Sequence, residues 1–226
     1  MGQKIQPFSY RLGITQGWSS RWFPIKKNFK NQLQEDVLIR RIIQKRIATA
    51  GIVRIDIERG AHNAYRIYIK AAKPGLIIGR GGKGIEELSK AIENELKSLF
   101  RKRGTAQQKL ALSLNVEELK RTEISALYIG QSIAWDLEKR LPARRVMKKY
   151  MELIMQNRDV KGAKIKLSGR IDGAEISRRE SISKGSLPLT TLRANIDYGE
   201  ARALCSYGYV GIKVWLYKGE IFNKNA

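Results

Sequence analysis

The sequence predicts an α+β protein of two domains behind a basic N-terminal arm, and three observations carry that reading. Helical and alternating apolar patterns succeed one another in each half of the chain. A glycine-dense stretch from Gly75 to Leu88, GLIIGRGGKGIEEL, separates a hairpin pattern from an amphipathic helix. Hydrophobic residues make up 42% of the 226, enough for each half to build a core of its own.

Residues 1–34 form the expected arm, in which Lys4, Arg11, Arg21, Lys26, Lys27 and Lys30 are interleaved with Phe8, Tyr10, Trp18, Trp22 and Phe23. Such a segment either lies on a partner or packs its aromatic residues on the domain surface. A first domain is expected over 35–118. Val37, Leu38, Ile42, Ile43 and Ile47 recur at helical spacing from Glu35, and Gly51 stops the helix. Val53, Ile55 and Ile57 then alternate with Arg54, Asp56 and Glu58. After Gly60 and Asn63 the alternation resumes at Tyr65, Ile67 and Ile69, which makes a hairpin with His62 in its loop. Lys73-Pro74-Gly75 breaks the chain before the glycines. Behind them Ile85, Leu88, Ile92, Leu96 and Leu99 mark the buried stripe of a helix that ends at Arg101-Lys102-Arg103 and Gly104. Leu110, Leu112, Leu114 and Val116 alternate as a third strand.

The second domain is expected over 119–220, with 221–226 as a tail. Its helical patterns cover roughly 123–140 and a segment from Ala143, after Leu141-Pro142. Strands follow at Ile165 and Leu167, from Leu192 to Tyr198, and from Val210 to Tyr217. The intervening GAEISRRE reads as a short helix, and the sheet as mixed or antiparallel.

The charge balance selects the partner. Lys and Arg number 44 against 21 Asp and Glu, a formal charge of +23. An excess of that size attracts polyanions and favours counterion release, so nucleic acid is the expected partner; a solvated basic surface is the plainer alternative. With one cysteine, Cys205, and one histidine, neither a disulfide framework nor a zinc ligand set can be assembled, and no metal or cofactor is expected. Cys205 reads as a small packing residue in an apolar strand. No apolar run reaches membrane-spanning length, MGQKIQPFSY lacks the core of a signal peptide, and Gln6 occupies the position where myristoylation needs Ser or Thr. A soluble protein in a reducing compartment, without a membrane partner, is expected.

Glycines crowded ahead of a helix let backbone approach phosphate. Gly79, Gly81 and Gly84 satisfy G-x-G-x-x-G, but the dinucleotide fingerprint must leave a strand directly into a helix and place an acid about 20 residues on. Here Pro74-Gly75 intervenes and Arg101-Lys102-Arg103 stands where the acid should be. A Walker loop fails because Gly84 follows Lys83 and Ile77 stands at the first glycine position. Two readings stay open: a glycine-rich turn joining two helices, and a GxxG loop at Gly79-Arg80-Gly81-Gly82 that clamps about four nucleotides of single strand, as in KH domains. The run from Ile78 to Ile85 resembles the KH pattern I-G-x-x-G-x-x-I, of type II given the order helix, hairpin, loop, helix, strand. Arg80 and Lys83 are then the phosphate contacts.

Downstream, at 100° per residue, Arg144, Arg145, Lys148 and Lys149 fall within an arc of about 140°. Val146, Tyr150, Met147, Ile154, Leu153 and Met151 occupy much of the opposite side. A solvated face would mix acids among its bases, and only Glu152 is acidic here, so the four cations read as a comb for a phosphate backbone.

Across residues 2–220 the chain resembles the bacterial-type small-subunit ribosomal protein three family. The blocks that carry the resemblance are GQKIQPFSYRLGIT with WSSRWF, PGLIIGRGGKGIEEL, LEKRLPARRVMKK, SGRIDGAEISRRE, LPLTTLRANIDYG and YGYVGIKVWLYKGE. The resemblance implies a non-enzymatic, cytoplasmic, ribosome-bound protein of the small-subunit head, not a homo-oligomer, beside head proteins ten and fourteen. It implies that positions matching Arg144, Arg145 and Lys148 face incoming messenger RNA at the entry channel and help unwind it, with Lys149 on the same helix. It implies that Gly79, Arg80, Gly81, Gly82 and Lys83 are the KH contact to RNA. Gly2, Gln3, Lys4, Arg11, Arg170, Arg178, Arg179 and Arg193 are the implied ribosomal RNA contacts. The segment from Phe100 to Lys109 is longer than the family's usual connection, and Ser183-Lys184-Gly185 and Glu200 to Ser206 depart from its commonest residues.

Overall fold

The computed structural model describes residues 5–24, 28–60, 64–104, 110–119 and 124–222. They fall in two units, Ser19–Lys120 and Met1–Trp18 with Arg121–Ala226. The stretch expected as a single arm is therefore divided. Its first part, with helix α1 (Pro7–Tyr10), belongs to the unit formed by the second half of the chain. Its later part adds a short strand, β1 (Ser20–Arg21), to the first domain.

In the first unit, α2 (Phe29–Arg46) is followed by the hairpin β2 (Ile52–Arg59) and β3 (Ala64–Ala71), a single helical turn α3 (Pro74–Ile78), the long α4 (Lys83–Lys102) and β4 (Ala111–Glu118). The sheet order is β1-β2-β3-β4. The hairpin is antiparallel, while β1 runs parallel to β2 and β4 parallel to β3, with Leu112, Leu114 and Val116 opposite Tyr65, Ile67 and Ile69. Alternation in the strands and the stripe of α4 meet in one core: Ile55, Ile57, Ile67 and Ile69 pack with Leu88, Ile92, Leu96 and Leu99. This is the type II KH arrangement.

α2 begins six residues before the expected start. Its first turns carry polar residues, so no apolar stripe announces them, and they are held by charge instead. Buried Glu35 accepts from Arg59 at 2.7 Å and from the Tyr65 hydroxyl at 2.7 Å, and it also pairs with Arg103 at 2.5 Å. Asp36, also buried, accepts from Ser20 Oγ at 2.6 Å, and Arg40 donates to the carbonyls of Ser19 and Ile55, which fastens β1 to the helix. Ile39, Ile43 and Ile47 are the buried stripe, whereas Val37, expected there, is exposed.

In the second unit, α5 (Ala126–Glu138) and α6 (Ala143–Met155) lie on one face of an antiparallel sheet. Its strands are β5 (Gly162–Gly169), β6 (Arg178–Gly185), β7 (Ala194–Cys205) and β8 (Gly208–Glu220), in the order β6-β5-β8-β7. Close seating of α5 depends on Gly199, where a Cβ would fall 2.5 Å from the backbone of Ala126. Asp197 Oδ2 accepts from the Ala126 amide at 2.9 Å and so caps that helix. Cys205 is half-buried at the end of β7 and packs against this core.

Two expectations are corrected here. GAEISRRE is not a helix: a 3-10 turn at Ile171–Gly173 leads into the edge strand β6, whose only apolar side chain, Ile182, leaves too little alternation to be seen. β7 extends to Cys205 rather than stopping at Tyr198, because its distal half is paired along β8 even though Glu200 and Arg202 are polar. His62 and residues 105–109 lie outside the described residues.

Candidate RNA interface

The glycine loop is built by two pairs of glycines with different tasks. At Gly84 a Cβ would sit 2.5 Å from the carbonyl oxygen of Ile77, and at Gly79 it would sit 3.0 Å from the amide of Gly84. Those two let α3 turn into α4 with almost no intervening chain. Gly81 and Gly82 hold φ of 61° and 80°, the left-handed region, and open space surrounds the place of each missing Cβ. Here the backbone is accessible from outside. Arg80 and Lys83 are exposed on either side, with Leu76 and Ile78 exposed next to them. No side chain caps the start of α4, where the Lys83 amide donates to the Arg80 carbonyl, and the positive end of the helix dipole lies at the loop that carries the two cations. The element before the glycines is a helix, which removes the strand that a dinucleotide fingerprint requires. The loop does join two helices, but a turn used only for packing has no need of the open glycines and exposed cations.

On α6 the apolar side is formed by Val146, Met147, Met151 and Ile154, all buried, whereas Leu153, expected with them, is 46% exposed. Arg144, Arg145, Lys148 and Lys149 are all exposed on the other side. They form two classes. Arg144 pairs with Glu180 of β6 at 3.3 Å and Lys149 with Asp136 of α5 at 3.2 Å. Asp136 also accepts from the Tyr150 hydroxyl at 3.0 Å. Arg145 and Lys148 have no carboxylate partner among the described residues. The outer cations are thus held to neighbouring elements while the inner two project free. Asp172, at φ 54° in the turn before β6, accepts from the Ala143 amide at 2.9 Å and fixes the start of the helix. Asp136, Asp172 and Glu180 had no signal in local sequence, because their roles depend on tertiary neighbours.

The implied ribosomal RNA contacts separate as well. Gly2, Gln3 and Lys4 lie outside the described residues. Arg11 is corrected: it is fully buried and donates to the carbonyl oxygens of Ala194 (2.7 Å), Leu189 (2.8 Å), Thr191 (2.9 Å) and Pro7 (3.2 Å), so it is an internal tie and not a surface contact. Arg170, Arg178, Arg179 and Arg193 are exposed on the second unit. Arg170 donates to the Ala174 carbonyl, Arg178 pairs with Glu180 at 3.1 Å, and Arg193 stands over the Phe222 ring. Among the described residues no cluster of His, Cys, Asp or Glu could hold a metal ion, and no helix is long and apolar enough to cross a membrane.

Both units match known families. The KH domain family matches residues 38–124, and the family described as ribosomal protein S3, C-terminal domain, matches residues 133–216. The small ribosomal subunit protein uS3 of Alkaliphilus oremlandii (strain OhILAs) is 42% identical over 221 residues, covering 98% of this chain and 87% of that protein. The uS3 protein of Desulforamulus reducens is 45% identical with 98% and 94% covered, and that of Clostridium botulinum (strain Okra / Type B1) is 44% identical with 98% and 93% covered. With likeness of this extent over nearly the whole chain, in both domains, the protein belongs to the small ribosomal subunit protein uS3 family.

Proposed function

We propose that the protein is a structural, non-enzymatic constituent of the small ribosomal subunit that binds its RNA, and that α6 grips messenger RNA where it enters. The observation that carries the second part is the division of the α6 cations. Arg144 and Lys149 are braced by Glu180 and Asp136, and between them Arg145 and Lys148 are exposed and free to take phosphates. Guanidinium and ammonium groups on a helix anchored by a buried apolar face hold a strand without covalent chemistry or nucleotide hydrolysis. Holding one strand of a messenger hairpin as it separates biases the duplex toward opening. The loop from Gly79 to Lys83 is the KH contact to single-stranded RNA, and Arg170, Arg178, Arg179 and Arg193 belong to the ribosomal RNA footing. Head proteins ten and fourteen are the proposed neighbours.

The test is a small subunit carrying Arg144→Ala, Arg145→Ala and Lys148→Ala together. Assembly is expected to be unchanged, and elongation through messengers with stable hairpins to slow while unstructured messengers are read at the normal rate. Equal slowing of both, or of neither, would refute a grip that acts on structured messenger.

A further inference from the structure

Helices α5 and α6 cover one face of the second unit's sheet, and α1 packs on the edge strand β7, near Ala194 and Ile196. On the other face, the strand registers build three neighbouring rows: Arg179, Ser168, Gly211 and Arg202; Ser181, Lys166, Lys213 and Glu200; Ser183, Lys164, Trp215 and Tyr198. A fourth row, at Ile196 and Tyr217, is covered by Leu187 and Leu189. The open rows hold five cations and a single acid, Glu200, which is itself paired with Lys213 at 3.1 Å and accepts from the Tyr198 hydroxyl. The KH sheet supplies an internal comparison. Its corresponding open face bears Arg21, Arg54, Arg66 and Lys70 against Asp56, Glu58 and Glu117, close to the balanced mixture a solvated face normally shows. The excess on the second sheet therefore does not follow from the basic composition alone.

We infer that this open face is a docking surface for a segment of ribosomal RNA, with Lys164, Lys166, Arg202 and Lys213 on its phosphates and the Tyr198 and Trp215 rings available to a base. Charge complementarity selects a polyanion, since five cations against one paired acid leave a strongly positive field. The two rings, 5.3 Å apart between centroids and tilted by 42°, lie at the edge of the cationic rows, both half-buried with Trp215 packed against the Ile196–Tyr217 cluster, and their outer edges are where an unpaired base would stack. Ribosomal rather than messenger RNA is selected because the cations stand on strands paired along their length, with Lys164 and Lys166 half-buried, a fixed array suited to one permanent path. The inference rests on the RNA-binding reading above and extends the footing beyond Arg179 to residues outside every site described so far.

The test uses the full chain with small-subunit ribosomal RNA. Lys166→Ala, Arg202→Ala and Lys213→Ala, combined, are expected to lower the slope of log affinity against log salt by about 2, at roughly 0.7 per lost single-strand contact. A control chain with Lys45→Ala and Lys97→Ala, outside this face, is expected to keep the slope. Lys166→Arg with Lys213→Arg should also keep it, and serves as the readout if the alanine variant folds poorly. In assembled subunits a benzophenone side chain replacing Ser181, at the centre of the face, is expected to crosslink to ribosomal RNA. An unchanged slope in the triple variant, a crosslink to a neighbouring protein or to messenger RNA, or no crosslink at all would overturn the inference. Failure of the unaltered chain to bind ribosomal RNA would instead overturn the reading on which it rests.

Discussion

Arg11 shows how a cation in a basic protein can serve the fold rather than the ligand. Its side chain is enclosed, with no carboxylate partner among the described residues, and it donates hydrogen bonds to the carbonyl oxygens of Pro7, Leu189, Thr191 and Ala194. Arg11→Ala leaves those acceptors buried and unpaired, so the second unit should lose about 3 kcal/mol, read by urea unfolding. Arg11→Lys should recover little of it, because an ammonium cannot span the fork. The family resemblance implied a ribosomal RNA contact for this residue, and only the fold reveals its enclosure. A second residue-scale prediction concerns pH. Burial first, and a hydrogen bond to Glu35 next, push the Tyr65 phenol above its ordinary value. Because the folded form holds its proton more tightly than the unfolded one, that contribution is complete below pH ~10 and is lost as pH rises beyond it. Comparing urea midpoints at pH 8 and pH 11, Tyr65→Phe should start about 1 kcal/mol lower, through the lost hydrogen bond, and fall less.

At the scale of elements the glycine loop makes opposite predictions for neighbouring positions. Gly84→Ala drives a methyl group into the Ile77 carbonyl and should destabilise the KH unit by about 1–3 kcal/mol. Gly81 is left-handed but unobstructed, and aspartate tolerates that conformation. Arg80→Asp with Gly81→Asp should therefore keep the thermal midpoint of the unit within a few degrees while weakening its crosslinking to single-stranded RNA; unchanged crosslinking would remove the loop from the interface. These elements also show what was legible beforehand. The hairpin, α4 and α6 were readable because their apolar residues keep one period over two or more turns or pairs. The start of α2 and the whole of β6 were not. Glu35 and Asp36 hold the former through partners on other elements, and β6 is an edge strand recognised by its pairing to β5. The four cations of α6 were visible as an arc, but their division into braced and free pairs waited on Asp136 and Glu180.

For the whole molecule, a formal charge of +23 over two folded units makes phosphate the expected common ligand, and the contacts proposed for it lie on the KH loop, α6 and the open sheet face. Charge was evident from the sequence; its placement required strand register and burial. One corollary is that Glu180→Ala should release Arg144 without disturbing the buried side of α6. A messenger grip should then survive this change and fail when Arg145 and Lys148 are lost, as rates on structured messengers would report. Contact between α6 and messenger is read by a zero-length or short photo-crosslinker placed at Lys148 in actively translating ribosomes. A grip by α6 predicts crosslinks to messenger nucleotides ahead of the decoding site that advance as the messenger moves. Crosslinks confined to ribosomal RNA or to a neighbouring protein, unchanged by messenger position, would contradict it.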